Sequence, residues 1–211
     1  MKYNTKCKKI ICFTIMWLMI IQGLFLLTRK IAFSYMNETL YSRSMMTMIT
    51  MIIILIIMIL YCQYSKQTMS VFPARSSVSY IAITVIAVIF YTITLFVVKD
   101  FSVPNILMLL YGSFVTPVFE ELLFRGFIWN KLNSCFRKEM KTYLVVTLLF
   151  VVWHIGYAIG IYFWLSGNLL IGITMKVVIG LIFGVITGAI RYKTKNCYLG
   201  IVIHGILNVF G

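Results

Sequence analysis

Apolar residues along this chain fall into long, nearly unbroken blocks, and polar residues collect in the short gaps between them. Seven blocks can be delimited: residues 10–27, 45–62, 78–98, 104–128, 142–165, 169–190 and 197–210. A helix needs about 20 mostly apolar residues to cross a hydrocarbon core about 30 Å thick. The first six blocks are close to that length. The seventh, with about 14 residues, spans only if it is tilted or enclosed by its neighbours. The pattern predicts an all-α fold: a polytopic membrane bundle of about seven transmembrane helices.

Composition supports the same solvent. Of the 211 residues, 62% are hydrophobic and 11% charged, with mean hydropathy +0.99. An ordinary soluble domain has about 45–50% apolar and about 25% charged residues. A water-soluble enzyme, a secreted disulfide scaffold and a disordered chain are excluded on this ground. The first block follows Lys2, Lys6, Lys8 and Lys9, as in a signal peptide, but it is long and no small-x-small site follows. It is expected to be a retained anchor.

Nineteen Lys and Arg against five Asp and Glu give a net charge of +14. The basic residues lie in clusters between blocks, the arrangement that the positive-inside rule and anionic lipid produce, so no nucleic-acid partner is expected. With the N-terminus inside, the cytoplasmic segments hold Lys2, Lys6, Lys8, Lys9, Lys66, Arg75, Lys131, Arg137, Lys138, Lys141, Arg191, Lys193 and Lys195. The outer segments hold only Arg29, Lys30, Arg43 and Lys99. This asymmetry predicts a cytoplasmic N-terminus and an external C-terminus. Cys7, Cys12, Cys62, Cys135 and Cys197 then all fall at or near the cytoplasmic side, where thiols stay reduced. Their odd number and the absence of C-x-x-C predict neither a disulfide framework nor a structural zinc site.

In the sixth block Gly172, Gly180, Gly184 and Gly188 recur at multiples of four, which predicts a groove for close helix packing. Lys176 shares that stripe and is turned toward protein, either to pair with an acid or to reach an interface. Trp129, Trp153 and Trp164 are expected to anchor at the interface or pack in the core.

Ionisable groups at membrane depth are costly and mark functional sites. Here they are Glu120, Glu121 and Arg125 in the fourth block, His154 in the fifth, and His204, with Asn208, in the seventh. Glu121 and Arg125, four apart, share a helix face and are expected to pair. Glu120 is rotated about 100° from Glu121 and is free to address another neighbour. At about 1.5 Å per residue, measured from cytoplasmic block ends, Glu120, His154 and His204 lie ~12, ~18 and ~10 Å deep. They are expected to meet in one layer in the cytoplasmic half or near the midplane. A desolvated Glu beside a His suits general-base activation of water, and imidazole and amide groups suit an oxyanion. The same Glu and His residues could instead ligate Zn²⁺ or another divalent metal with water in the fourth position. No H-E-x-x-H is present, so such a site would be assembled across helices.

Glu120-Glu121-Leu122-Leu123-Phe124-Arg125 matches E-E-x-x-x-R, Phe150 to His154 matches F-x-x-x-H, and His204 to Asn208 matches H-x-x-x-N. In this order, on successive hydrophobic segments, they resemble the three motifs of the CPBP family, the CAAX proteases and bacteriocin-processing or bacteriocin-immunity proteins also called Abi. The resemblance covers the second half of the chain. It implies a catalytic core over 104–211, preceded by three membrane helices over 1–103. It also implies an intramembrane endopeptidase, metal-assisted or metal-free, acting on a membrane-associated peptide or protein. By resemblance Glu120 and His154 would activate water, His204 and Asn208 would form the oxyanion hole or complete a metal site, and Glu121 and Arg125 would support them. Bacterial relatives of this kind imply a multi-pass protein of the cytoplasmic membrane, serving bacteriocin processing, self-immunity or peptide signalling. The competing reading is a non-catalytic membrane scaffold or regulator that binds a sensor or secretion partner.

Overall fold

Seven helices run through the described residues of the computed structural model, which are 2–75, 77–98, 101–165 and 168–209. They are α1 (Lys2–Phe33), α2 (Leu40–Tyr64), α3 (Val78–Val98), α4 (Val103–Phe136), α5 (Glu139–Leu165), α6 (Leu169–Thr194) and α7 (Tyr198–Asn208). The first six are long and apolar enough to cross a membrane, and α7 is a shorter apolar helix. No strand occurs among the described residues. The chain folds as a polytopic helical bundle.

Most helices extend beyond the apolar blocks. α1 begins at Lys2 and α4 continues to Phe136. Hydropathy marks where lipid can lie, whereas a helix ends where its backbone is capped. Thr39 and Ser42 form a reciprocal capping box at the start of α2, at 3.1 and 2.9 Å. Asn168 accepts the Ile171 N–H at the start of α6. α4 and α6 stop at Arg137 (φ 54°) and Lys195 (φ 61°), left-handed residues of the kind that terminate helices. Lys195 also pairs with Glu139, tying the α6 end to the α5 start. Lys99, Phe210 and the side chains of Lys2, Lys6 and Trp164 lie outside the described residues.

The core lies where α1, α2, α4 and α5 meet, and is rich in aromatic rings. Phe25, Phe119, Phe124, Trp129, Phe150 and Trp153 are all buried, and all of these but Trp129 meet one another largely edge to face. Trp129 and Trp153 are therefore core residues rather than interface anchors. The opposite helix faces carry exposed Ile53, Ile57, Ile86, Ile89, Leu181 and Val185, the aliphatic surface expected against acyl chains.

α6 packs on α5 through its glycines. A Cβ at Gly180 would meet His154 Cγ at 3.0 Å, one at Gly184 would meet Thr147 Cγ2 at 3.1 Å, and one at Gly188 would meet Tyr143 Cε2 at 2.6 Å. Gly172, one stripe position earlier, faces open space and takes no part in this groove.

The cysteine reading needs correction. Cys7 and Cys135 form a disulfide, with Cα atoms 5.5 Å apart, which joins the start of α1 to the end of α4. The two are separated by 128 residues, and sequence spacing does not show which distant segments a fold brings together. Cys62 and Cys197 are buried free thiols, and Cys12 is exposed.

Candidate active site

α4 is α-helical over Thr116–Glu121 and π-helical on either side, over Tyr111–Val115 and Leu122–Ile128. Pro117 accounts for the first distortion. A proline has no N–H to give to the carbonyl four residues back, Ser113, or five back, Gly112. Thr116 N–H reaches to Tyr111 O, five residues back. Other helices supply the missing donors: Asn208 Nδ2 donates to Gly112 O at 2.8 Å, and Tyr91 OH to Ser113 O at 3.4 Å. α7 can come this close only because residue 205 is glycine. A Cβ there would lie 2.3 Å from Ser113 O and 2.4 Å from Tyr91 Oη.

The second π segment is tied down in a similar way. Trp129 N–H reaches back to Phe124 O. The carbonyl passed over, Arg125 O, accepts Arg191 Nε at 2.9 Å, and Arg191 Nη2 continues to Asn130 Oδ1 at 2.9 Å. Insertions of this kind often occur at functional sites. Here they bracket the Glu120–Glu121 pair.

The two adjacent carboxylates point to different neighbours, as their rotation about the helix predicts. Glu121, fully buried, faces α6 and α7. Its Oε1 lies 3.3 Å from Arg125 Nη1 and accepts His204 Nδ1 at 2.9 Å. Arg125 is fixed from its other sides by Gly184 O at 3.4 Å and by the Phe150 ring, whose centroid is 4.0 Å from Cζ. Gly200 leaves room for this carboxylate, since a Cβ there would meet Glu121 Oε2 at 3.1 Å. The expected Glu121–Arg125 pair is present, but Glu121 also holds His204, a contact that in-helix spacing could not reveal.

Glu120, 1% exposed, faces α5. Its Oε1 accepts Trp153 Nε1 at 3.3 Å and Tyr157 OH at 3.1 Å. Its Oε2 has no hydrogen-bond partner and lies 3.8 Å from His204 Nε2. An ionised carboxylate only accepts, so His204 Nδ1 donates to Glu121, which leaves Nε2 on the side of Glu120. His154 likewise donates through Nδ1, to Phe150 O at 2.8 Å, one turn back.

Glu120, His154, His204 and Asn208 line one cavity of ≈ 390 Å³, together with Tyr111, Gly112, Thr116, Tyr157 and Phe183. The structure thus gathers all four sequence candidates around one hollow, with Glu121 and Arg125 buried behind His204. The cavity runs from this floor toward Arg29, Leu40, Arg43, Ser44 and Lys176, which lie near the end of α1 and the starts of α2 and α6. That end of the bundle is opposite the lysine-rich gaps.

Trp153 and Tyr157 were missed as functional candidates. They are four apart and flank His154, so they share a face that sequence spacing could have flagged. Gln22 on α1 was also missed. Its Nε2 donates to Trp153 O at 3.2 Å and helps to place that turn of α5.

Among the described residues no three His, Cys, Asp or Glu side chains are grouped to hold an ion. The floor presents one unpartnered carboxylate oxygen and two imidazole rings to the cavity.

Residues 102–210 match the family described as type II CAAX prenyl endopeptidase Rce1-like. No curated protein and no solved structure matches the chain.

Proposed function

The chain belongs to the Rce1-like family of type II CAAX prenyl endopeptidases, and on that premise we propose that it hydrolyses a peptide bond of a membrane-associated substrate by water activated at Glu120. The family supports a CAAX-type endopeptidase within a multi-pass membrane protein. The observation that carries the finer reading is the unpartnered Glu120 Oε2, buried at the cavity floor 3.8 Å from His204 Nε2.

In this reading a water donates one hydrogen to Glu120 Oε2 and the other to His204 Nε2, which turns its lone pair into the cavity. Glu120 takes a proton as the water oxygen attacks the scissile carbonyl. Asn208 has a second amide hydrogen beyond the one given to Gly112, and this stabilises the oxyanion. The C–N bond then breaks, and the Glu120 proton passes to the leaving amine, directly or through His154 Nε2. The products are a carboxylic acid and an amine, which exchange a proton to leave as carboxylate and ammonium. Trp153 and Tyr157 hold the other Glu120 oxygen, while Glu121 and Arg125 orient His204. No step is assigned to a metal.

A bacterial cytoplasmic membrane and a role in bacteriocin processing, self-immunity or peptide signalling remain the physiological proposal, carried by the motif resemblance. The reading is tested with Glu120→Ala and His154→Ala at matched membrane abundance. Each is expected to abolish processing of the natural substrate. Full processing by both variants would return the protein to the scaffold reading.

A further inference from the structure

The cavity has opposite charge at its two ends. Its floor carries Glu120, and its far walls carry Arg29, Arg43 and Lys176. Of these cations, Arg43 is engaged with Glu38. Arg29 and Lys176 are ion-paired to no carboxylate among the described residues.

Arg29 donates Nη2 to Thr47 Oγ1 at 3.1 Å, and its Nε is buried without a partner. A guanidinium offers donors in a rigid fork that matches a carboxylate, so an orphaned Nε beside a cavity leaves that fork half used. Lys176 lies on the glycine stripe of α6, one turn before the Gly180 that packs on His154. It lines the same cavity as His154. Cations at membrane depth are retained where they face an internal cavity and meet an anion there. Among the described residues neither cation meets one at salt-bridge distance. Arg29 lies outside residues 102–210 and Lys176 within them, so the matched family region carries only one of the two cations.

We propose that Arg29 and Lys176 form an anion-docking subsite that holds a carboxylate of the peptide substrate while its scissile carbonyl lies over Glu120. The proposal rests on the endopeptidase reading for the second clause only. The carboxylate comes from the substrate's C-terminus or from an Asp or Glu side chain near the cut.

Binding tests this without requiring turnover. The full chain carrying Glu120→Gln is purified in detergent and titrated into three dye-labelled apolar tetrapeptides: one with a free C-terminus, its C-terminal amide, and an amide containing one Glu. The free acid is expected to bind about tenfold or more tightly than the plain amide, as a charge-assisted contact in a desolvated site requires. Adding Arg29→Gln or Lys176→Gln should shrink that ratio to about twofold or less. If the Glu-bearing amide matches the acid, the anion is a side chain; if it matches the plain amide, the anion is the terminus.

Equal affinity for all three peptides overturns the subsite. So does a ratio unchanged in both cation variants while their retention of phosphatidylglycerol over phosphatidylcholine falls, since the cations would then serve lipid. Should Arg29→Gln not fold, Arg29→Lys keeps the charge without the fork and must still lose part of the discrimination. Selective binding by a chain whose unsubstituted form never cuts these peptides or its natural substrate would leave the subsite standing and defeat the peptidase reading separately.

Discussion

His204 stands between two glutamates that are adjacent in sequence: Nδ1 is held by Glu121 Oε1 at 2.9 Å, and Nε2 faces Glu120 Oε2 at 3.8 Å. One carboxylate fixes the ring, and the other shares the face that looks into the cavity. The two acids should therefore fail in different ways when replaced.

Glu121→Ala removes the counter-charge of Arg125, and both groups are fully buried. Breaking a buried pair on one side costs about 3–5 kcal/mol, because the remaining charge has no compensation. The expected outcome is a large loss of folded protein, read as monodisperse yield in detergent. Glu121→Gln keeps an acceptor for His204 but loses the charge, and it should also reduce folded yield. Full yield with turnover lost would mean that the roles of Glu120 and Glu121 are exchanged.

Glu120→Gln should leave yield and thermal unfolding near those of the unsubstituted protein while turnover falls about 10²–10⁴-fold, the usual contribution of a general base. Quantitative immunoblotting beside a processing assay separates the two effects.

Tyr157→Phe deletes one of the two donors to Glu120 Oε1 and little else. A hydrogen bond to a charged group is worth about 1.5–3 kcal/mol net, a factor of about ten to a hundred. kcat should fall by that factor with KM unchanged. A change in KM alone would place Tyr157 in substrate binding instead.

Gly205→Ala forces a methyl against Ser113 O and Tyr91 Oη, and the first of these is backbone that cannot swing aside. Overpacking of this kind costs about 1–3 kcal/mol, seen as a lower unfolding temperature. Gly172→Ala is the control: it has open space around it and should be neutral or slightly stabilising, as helix propensity favours alanine.

Prolonged dialysis against a chelator should leave turnover unchanged if Glu120 activates water directly. Loss of activity that Zn²⁺ restores would replace this mechanism with a metal-bound water, and would require His154 and His204 to move toward Glu120.

The sequence by itself determined the class of fold and the identity of the chemical groups, because both depend on transfer free energy. Apolar blocks of membrane length can only be helices in lipid, and the few ionisable residues inside them are too costly to be incidental. The Glu121–Arg125 pair was also legible, since it follows from the periodicity of a single helix. What the tertiary structure decided was every relation between helices: His204 on Glu121, Trp153 and Tyr157 on Glu120, the pairing of Cys7 with Cys135, and Arg29 on the same cavity as His154. Contacts of that kind depend on which faces are brought together, and on carbonyls freed where α4 leaves the α-helical pattern near Pro117, neither of which leaves a periodic trace in the chain.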